Sequence, residues 1–438
     1  MWSRFKGDSS KTPLLSQQDY DEGSSSSSIQ SNQQIPPKAN NRKKILLVTD
    51  VIYPHYDFFL NIANVLCYNG KYDVYLLVVK FEGNVISKKP LEEVHLIEVT
   101  YIEDKEYSQV LNKGGIEMNW TVEDKKDDDH LIKLLGFYMY FTYKAIIENP
   151  KVEIYGIPQR IFDWLKLMGQ QFALGIAEFS LSGGAFPLFE EIGLKKYIAA
   201  TSTIPFPIYL HFFGQELYYL MPVEEMPKMW DLLRKSKYYL INVHPLGQFP
   251  FPNIPKRIVN IGGIEVEIEG ILNEIEEEKR LEEEQKNKAQ KNLRGFITAG
   301  DQKCFNQALY VGVPLILIPF TFKQKFNAKI AEYMKVGITV DHTKFVEEFP
   351  LAVKKLMRED QHPPNILVEN GNKIKEAIEQ FPNGQIKTFL EIVDKTIEEK
   401  DKEKPFPEMR KFEEDSLLYF GHKPFSVVLE EFVNSKQK

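Results

Sequence analysis

KKILLVTDVIYPHYDFFLNIANVLCYNGKYDVYLLVVK, residues Lys43 to Lys80, decides the fold class. Its run ILLVTDVIY is short, apolar and rich in β-branched residues, as a strand buried on both faces must be. From Tyr56 to Tyr68, Phe58, Phe59, Ile62, Ala63, Leu66 and Cys67 recur at i, i+3 and i+4, the stripe of an amphipathic helix. Asn69-Gly70 stops that helix, and VYLLVV from Val74 to Val79 is a second buried strand. Strand, helix and strand at this spacing form a right-handed βαβ unit.

The pattern extends outward as further strands at Val94 to Val99, Leu174 to Ala177 and Tyr197 to Ala200, with helices over Leu131 to Ile147 and Ala185 to Ile192. The expectation is a doubly wound α/β domain over residues 43–263. Composition changes at EVEIEGILNEIEEEKRLEEEQKNKAQKN, Glu265 to Asn292, where Ile268, Ile271, Leu272 and Ile275 make one narrow apolar stripe. Residues 264–293 therefore read as an acidic, mostly solvated helical linker. A second α/β segment over 294–438 begins with strands at Gly295 to Thr298 and Pro314 to Pro319. Helices alternate with them near Cys304 to Val311 and over Lys325 to Met334. Amphipathic helices at Phe345 to Met357, Ile374 to Gln380 and Ile386 to Ile397 follow. Residues 1–42 carry Ser, Gln, Asn and charge, a composition that cannot bury enough apolar surface to fold, and read as a disordered tail.

The 438 residues, 43% hydrophobic and 13% aromatic, support globular cores over most of the chain. A formal charge of -7 argues against nucleic-acid binding, which needs a basic surface to displace counterions. Cys67 and Cys304 are the only cysteines and show neither a disulfide framework nor a zinc spacing, so no metal is expected. No window approaches the roughly 20 apolar residues of a spanning helix. The N-terminus has no apolar core of a secretory signal. The chain as written reads as cytosolic, without a transmembrane segment. Pro13-Leu14-Leu15 has the form of a sorting dileucine, and Asn119-Trp120-Thr121 is a glycosylation sequon.

FITAGDQKCFNQALYVGVPLILIPFTFKQKFNAKIAEYMKVGITVD, Phe296 to Asp341, resembles the C-terminal signature of the UDP-glucuronosyl/glucosyltransferase family, F-I-T-H-G-G-x-N-S-x-x-E-A-x-x-x-G-V-P-x-x-x-x-P-x-x-x-D-Q-x-x-N-A. Phe296-Ile297-Thr298, Gly300, Ala308, Gly312-Val313-Pro314, Pro319, Gln324 and Asn327-Ala328 match without a gap. His55 with Ile62-Ala63-Asn64, Phe172 to Glu178, and Leu240 to Ile264 resemble the N-terminal half of the same family, most closely its nematode members. The resemblance implies a GT-B architecture of two Rossmann-like domains, a lipophilic acceptor bound by the first and a UDP-sugar by the second. The C-terminal domain is expected to be incomplete, because the long segment that family members carry between the positions of Gly263 and Phe296 is replaced by the acidic linker.

Attack of an acceptor hydroxyl on an anomeric carbon needs a base, and histidine suits that role at neutral pH. By resemblance His55 is the base, with Glu178 the first choice for the carboxylate that orients it and Asp50 the second. The donor-side positions are Thr298, Gly300, Cys304, Gln307, Gln324 and Asn327. In the same signature the family's phosphate-binding His is Ala299, its second Gly is Asp301, its ribose-binding Glu is Gln307 and its sugar-binding Asp is Lys323. Transfer of a hexosyl group from a UDP-sugar co-substrate to a small lipophilic acceptor is thus expected, with activity lowered or lost. The alternatives are an inactive relative that binds small molecules through Phe58, Phe59, Phe137, Tyr138 and Phe206, or the product of an incomplete gene model. Family members are typically held at the endoplasmic reticulum membrane.

Overall fold

The computed structural model describes residues 42–52, 54–86, 88–102, 141–180, 183–204, 232–233, 235–248, 256–280, 294–357, 365–380 and 384–399. The tail, the dileucine, the sequon, Phe137, Tyr138, Phe206 and the first part of the helix expected from Leu131 lie outside these residues. The described residues from Lys43 onward belong to one compact unit.

The opening βαβ unit is present as β1 (Lys43–Asp50), α1 (His55–Tyr68) and β2 (Tyr72–Phe81), with β1 and β2 parallel and Lys43 opposite Tyr72. Alternation along β1 explains why its sequence is apolar throughout. Ile45 and Leu47 enter the core under α1, while Leu46 and Val48 enter the opposite core with Trp164, Phe186 and Phe189. The sheet is completed by β3 (His95–Tyr101), β6 (Phe172–Glu178), β7 (Tyr197–Thr201), β8 (Tyr239–Ile241) and β9 (Ile258–Asn260). Its order is β3-β2-β1-β6-β7-β8-β9, all parallel. The order reverses between β1 and β6, so their C-terminal ends flank the crevice where open α/β sheets bind ligands.

Residues 141–147 are helical. Next come an unexpected antiparallel hairpin, β4 (Lys151–Ile154) and β5 (Ile157–Arg160), and two short helices, α2 (Ile161–Met168) and α3 (Ala185–Glu191). The hairpin turn is Tyr155-Gly156, both at positive φ (55° and 72°). Two such residues define the type I′ turn, where asparagine or glycine is the usual signal and tyrosine is not. Tyr155 is held there by a hydroxyl hydrogen bond of 2.6 Å to Tyr75 and by edge contact with the His95 ring.

The second sheet is parallel, β10 (Phe296–Thr298), β11 (Leu315–Leu317) and β12 (Gly337–Thr339) in that order. Helices α5 (Gln302–Val311) and α6 (Phe322–Tyr333) cover one face through Phe305, Leu309, Ala328 and Ile330. Helix α7 (Phe345–Leu356) covers the other through Ala352 and Leu356. Gly312 ends α5 at φ 75°, and α8 (Ile366–Glu379) passes so close that a Cβ on Gly371 would stand 2.5 Å from the Gly312 carbonyl oxygen.

Two helices differ from the sequence expectation in where they pack. The acidic segment begins as α4 (Ile264–Arg280), and Ile264 and Ile268 are part of the core beneath α1 rather than solvated linker. The last helix among the described residues, α9 (Gln385–Glu398), places Phe389 and Val393 in that same core. The Glu267 carboxylate receives the backbone N–H groups of Gln385 and Ile386 at 2.8 and 2.9 Å, so α4 caps the N-terminus of α9. Asp394 of α9 accepts from Lys71 at 3.0 Å and from the Tyr72 hydroxyl.

Candidate functional site

β1 delivers Asp50 to the switch point, and the chain turns so that the Ile52 N–H donates to Asp50 Oδ1 at 2.7 Å. The His55 N–H then donates to the Ile52 carbonyl, also at 2.7 Å, and starts α1. This tight turn brings the His55 ring back over the strand end. Its Nδ1 lies 3.0 Å from both carboxylate oxygens of Asp50. A carboxylate only accepts, so Nδ1 carries a proton, and in the neutral ring Nε2 is the nitrogen with the lone pair.

Glu178 ends β6, next to β1, and stands on the other side of the ring, with Oε1 3.8 Å from Nε2. Its Oε1 accepts from the Ser180 hydroxyl at 2.5 Å. The sequence reading ranked Glu178 above Asp50 as the orienting carboxylate. In the structure the orienting hydrogen bond belongs to Asp50, because the turn after β1 closes over only four residues and leaves Glu178 beyond hydrogen-bonding reach of Nε2.

Asp50, His55 and Glu178 are 0%, 1% and 0% exposed. Burial pushes the Asp50 carboxyl above its ordinary value, with the nearby imidazole pulling the other way. For His55, burial alone would lower the pKa, but the Asp50 and Glu178 carboxylates outweigh it and the net direction is up. A fourth ionisable group arrives from the second sheet. Lys323, in the first turn of α6, donates to the Thr203 hydroxyl at 2.6 Å and interacts electrostatically with Glu178 and His55. Burial brings its pKa down to about 8, and Glu178 opposes that shift. Ser180, Thr203 and this contact were not foreseen. Ser180 has a local signal, two residues past Glu178, but Thr203 and Lys323 are 120 positions apart.

The donor-side positions gather around the ends of β10 and β11, and several are already engaged. Thr298 Oγ1 accepts from the Gly300 N–H at 3.1 Å, and Gly300 takes φ 98°. Asn327 donates to the Gly300 carbonyl at 2.9 Å. Gln324 Oε1 accepts from the N–H groups of Phe320 and Thr321, and its Nε2 donates to Asp301 at 2.9 Å. Cys304 and Gln307 lie half-buried on α5. At the N-terminal end of α5, Lys303 pairs with Glu269 at 2.7 Å. An open cavity of about 350 Å³ lies beside these strand ends, lined by Ile297, Thr298, Ala299, Ile318, Phe320, His342 and Phe345.

The junction between the two sheets is polar and buried. Asn242 and Asn306 donate to Glu265 Oε1 at 3.3 and 3.2 Å, and Asn306 also donates to Asn242 at 3.2 Å. Burial pushes the Glu265 carboxyl up. A Cβ on Gly262 would meet the His244 backbone nitrogen at 2.1 Å, so only glycine fits that crossing. Phe58 and Phe59 are core residues under the first sheet, not cleft lining. Among the described residues no group of three or more His, Cys, Asp or Glu could hold a metal ion, and no helix is long and apolar enough to cross a membrane.

No family model matches the chain. Among curated proteins, ugt-47 of Caenorhabditis elegans, named as a candidate UDP-glucuronosyltransferase, is 30% identical over 106 residues, which is 24% of this chain and 19% of that protein. The similarly named ugt-48 of the same organism is 27% identical over 110 residues, 25% of this chain and 20% of its own. The match thus spans about a fifth of the length of these relatives. Among solved structures, Phytolacca americana UGT2, complexed with UDP-2fluoro-glucose and pterostilbene, aligns with a TM-score of 0.51 at 13% identity, over 80% of this chain and 98% of that one. A UDP-glucosyltransferase of Polygonum tinctorium gives the same TM-score and identity over 82% and 99%. At that identity the structures establish the fold, GT-B. The chain is thus similar over about a quarter of its length to nematode proteins named as UDP-glucuronosyltransferases, and it shares the fold of solved UDP-glycosyltransferases.

Proposed function

We propose that the protein transfers a hexosyl group from a UDP-sugar to a hydroxyl of a small lipophilic acceptor, with His55 as general base. The observation that carries this reading is the Asp50–His55 hydrogen bond at the switch point of the first sheet. In the proposed step, Nε2 takes the proton of the acceptor hydroxyl as its oxygen bonds to the anomeric carbon. The bond from that carbon to the diphosphate breaks, and UDP leaves with the electron pair. Asp50 holds the ring in the correct tautomer and stabilises the imidazolium that forms. The solved structures of similar fold hold UDP-2fluoro-glucose with pterostilbene, or 3,4-dichloroaniline, in keeping with a donor plus a small aromatic acceptor.

One observation favours a second reading, that of a relative that binds small molecules without transfer. The Gln324 amide is used at both ends, by two backbone N–H groups and by Asp301, where the resemblance gives it to a sugar. Ala299 also offers no hydrogen bond where the family has a histidine. A hydrogen bond to a charged group contributes about 1.5–3 kcal/mol, so donor affinity should be about tenfold to a hundredfold weaker than with that histidine. Isothermal titration with UDP-glucose and UDP-glucuronate separates the readings. Saturable binding followed by product formation with a phenolic acceptor supports transfer, and the absence of heat at millimolar nucleotide overturns it. In a binding-competent protein, Ala299→His should tighten UDP binding by about tenfold or more.

A further inference from the structure

The candidate site lies at the C-terminal edge of the first sheet, and the opposite edge, where each strand begins, has a different chemistry. Because the strands are parallel, all seven enter from that edge, with neighbouring entries about 4.8 Å apart. Five of the entries carry an exposed lysine: Lys71 before β2, Lys43 at the start of β1, Lys195 before β7, Lys235 before β8 and Lys256 before β9. In sheet order they make a row roughly 24 Å long, interrupted only at β6, which follows Gln170 and Gln171. Lys71 pairs with Asp394 and Lys235 with Glu190, each at 3.0 Å. Lys43, Lys195 and Lys256 make no ion pair among the described residues. The acids beside the row are mostly engaged: Glu190 and Asp394 as above, and Glu191 by the Tyr143 hydroxyl. Glu398 and Glu399 follow at the end of α9, where Lys196 donates to the Ile397 and Glu399 carbonyls at 2.7 and 2.6 Å. Glu92 and Glu93 stand outside the row, before β3. The edge is thus rich in cations in a chain whose formal charge is -7.

Two large apolar side chains flank the row. Helices that connect parallel strands run back toward the strand entries, so α1, which leads to β2, and α2, which leads to β6, both end at this edge. Tyr68, the last residue of α1, is 56% exposed, and Leu167, near the end of α2, is 79% exposed. Helix α1 packs on one face of the sheet and α2 on the other, so the lysines lie between these two side chains. A lysine that follows a helix C-terminus is favourable to the helix dipole, which explains Lys71 and Lys195 one at a time. It does not explain an exposed tyrosine and leucine on either side of them. Cations flanked by apolar and aromatic side chains suit the interface of a bilayer with acidic headgroups. The ammonium groups meet the headgroup anions, and the apolar side chains enter the acyl boundary. We propose that this edge docks the protein on an anionic lipid surface, with Tyr68 and Leu167 inserted and the lysine row on the headgroups. The inference is independent of the transferase reading. Since β1 spans eight residues, docking in this way holds the His55 edge roughly 25 Å from the lipid.

In the experiment the full chain is mixed with vesicles of phosphatidylcholine alone, or of phosphatidylcholine with phosphatidylserine, and the bound fraction is read by co-sedimentation. Binding is expected only with phosphatidylserine and should fall as salt is raised, because exposed charges are screened. Lys43→Gln combined with Lys195→Gln should weaken it about 25-fold, at about fivefold per charge. Leu167→Ser should weaken it about tenfold and leave the salt dependence unchanged. Tyr68→Trp should show a blue-shifted emission on binding that brominated acyl chains quench. Lys373→Gln, on α8 beside the second sheet, should change nothing. Every substituted side chain is exposed, and an unchanged thermal midpoint checks that each variant folds. Equal binding to both kinds of vesicle, binding to neither, or binding unmoved by the lysine and leucine variants overturns the proposal. Binding to duplex DNA but not to vesicles, dependent on the lysines and indifferent to Leu167, would give the face to a nucleic acid and overturns it as well.

Discussion

At the scale of single residues, the ranking of Asp50 and Glu178 has kinetic consequences. Asp50→Asn keeps the shape but can present its amide N–H to the ring, which favours the wrong imidazole tautomer. In the proposed transfer kcat should fall by about 10³–10⁴, as for other histidine bases deprived of their carboxylate. His55→Ala should abolish transfer, whereas Glu178→Gln should leave the tautomer intact and lower the pH of the acidic limb in a kcat/KM profile. The raised pKa of His55 places that limb above the ordinary histidine value in the wild type. Lys323 gives a prediction about stability. Its folded pKa of about 8 is below its ordinary 10.5, so between these values the unfolded chain binds a proton that the folded chain does not. Stability measured by urea midpoint should therefore rise from pH 8 to 10 relative to Lys323→Met, and an identical pH dependence in the two proteins would contradict the burial of that charge.

At the scale of elements, legibility followed how much of the structural cause was local. β1, α1 and β2 were readable because burial on both faces writes itself into a continuous apolar run and a helical stripe. Helix α8 begins at Ile366, eight residues before the expected Ile374, because the Asn365 side chain caps it by accepting from the Leu367 N–H. Gly371 within that helix weakened the pattern, and its cause is the close passage against Gly312, which no local rule contains. Strands β8 and β9 have three residues each, too few for periodicity. At the site, His55 and Glu178 were singled out by the family resemblance, and Asp50 was ranked second; its reach depends on the turn closed by Ile52, which no pattern in the sequence shows. Helix α6 offers a test of local design. Thr321 and Gln324 form a capping box, with the hydroxyl accepting from the Gln324 N–H and the amide returning to Thr321. Thr321→Ala should cost about 1 kcal/mol, read as a lower thermal midpoint. Gln324→Ala should cost a similar amount and also release Asp301, which links the cap to the start of α5.

At the scale of the whole molecule, the first core is not built from the first half of the chain alone. Phe389 and Val393 of α9 lie at 0% exposure among Ile45, Leu47, Phe59 and Ile62. Phe389→Ala should destabilise the protein by about 3–5 kcal/mol. Hydrogen exchange should show the loss in β1 and β2, more than 300 positions upstream, as well as around the mutation. Loss of protection confined to α8 and α9 would mean that α9 is only an accessory to this core. The return of α9 also dictates an order of events during synthesis. At about 5–20 residues per second, Phe389 leaves the ribosome's catalytic centre roughly 20–70 s after Ile45. For that interval the apolar side of α1 and the N-terminal turns of α4 have no complete cover, so the nascent chain must be shielded by other means until α9 arrives.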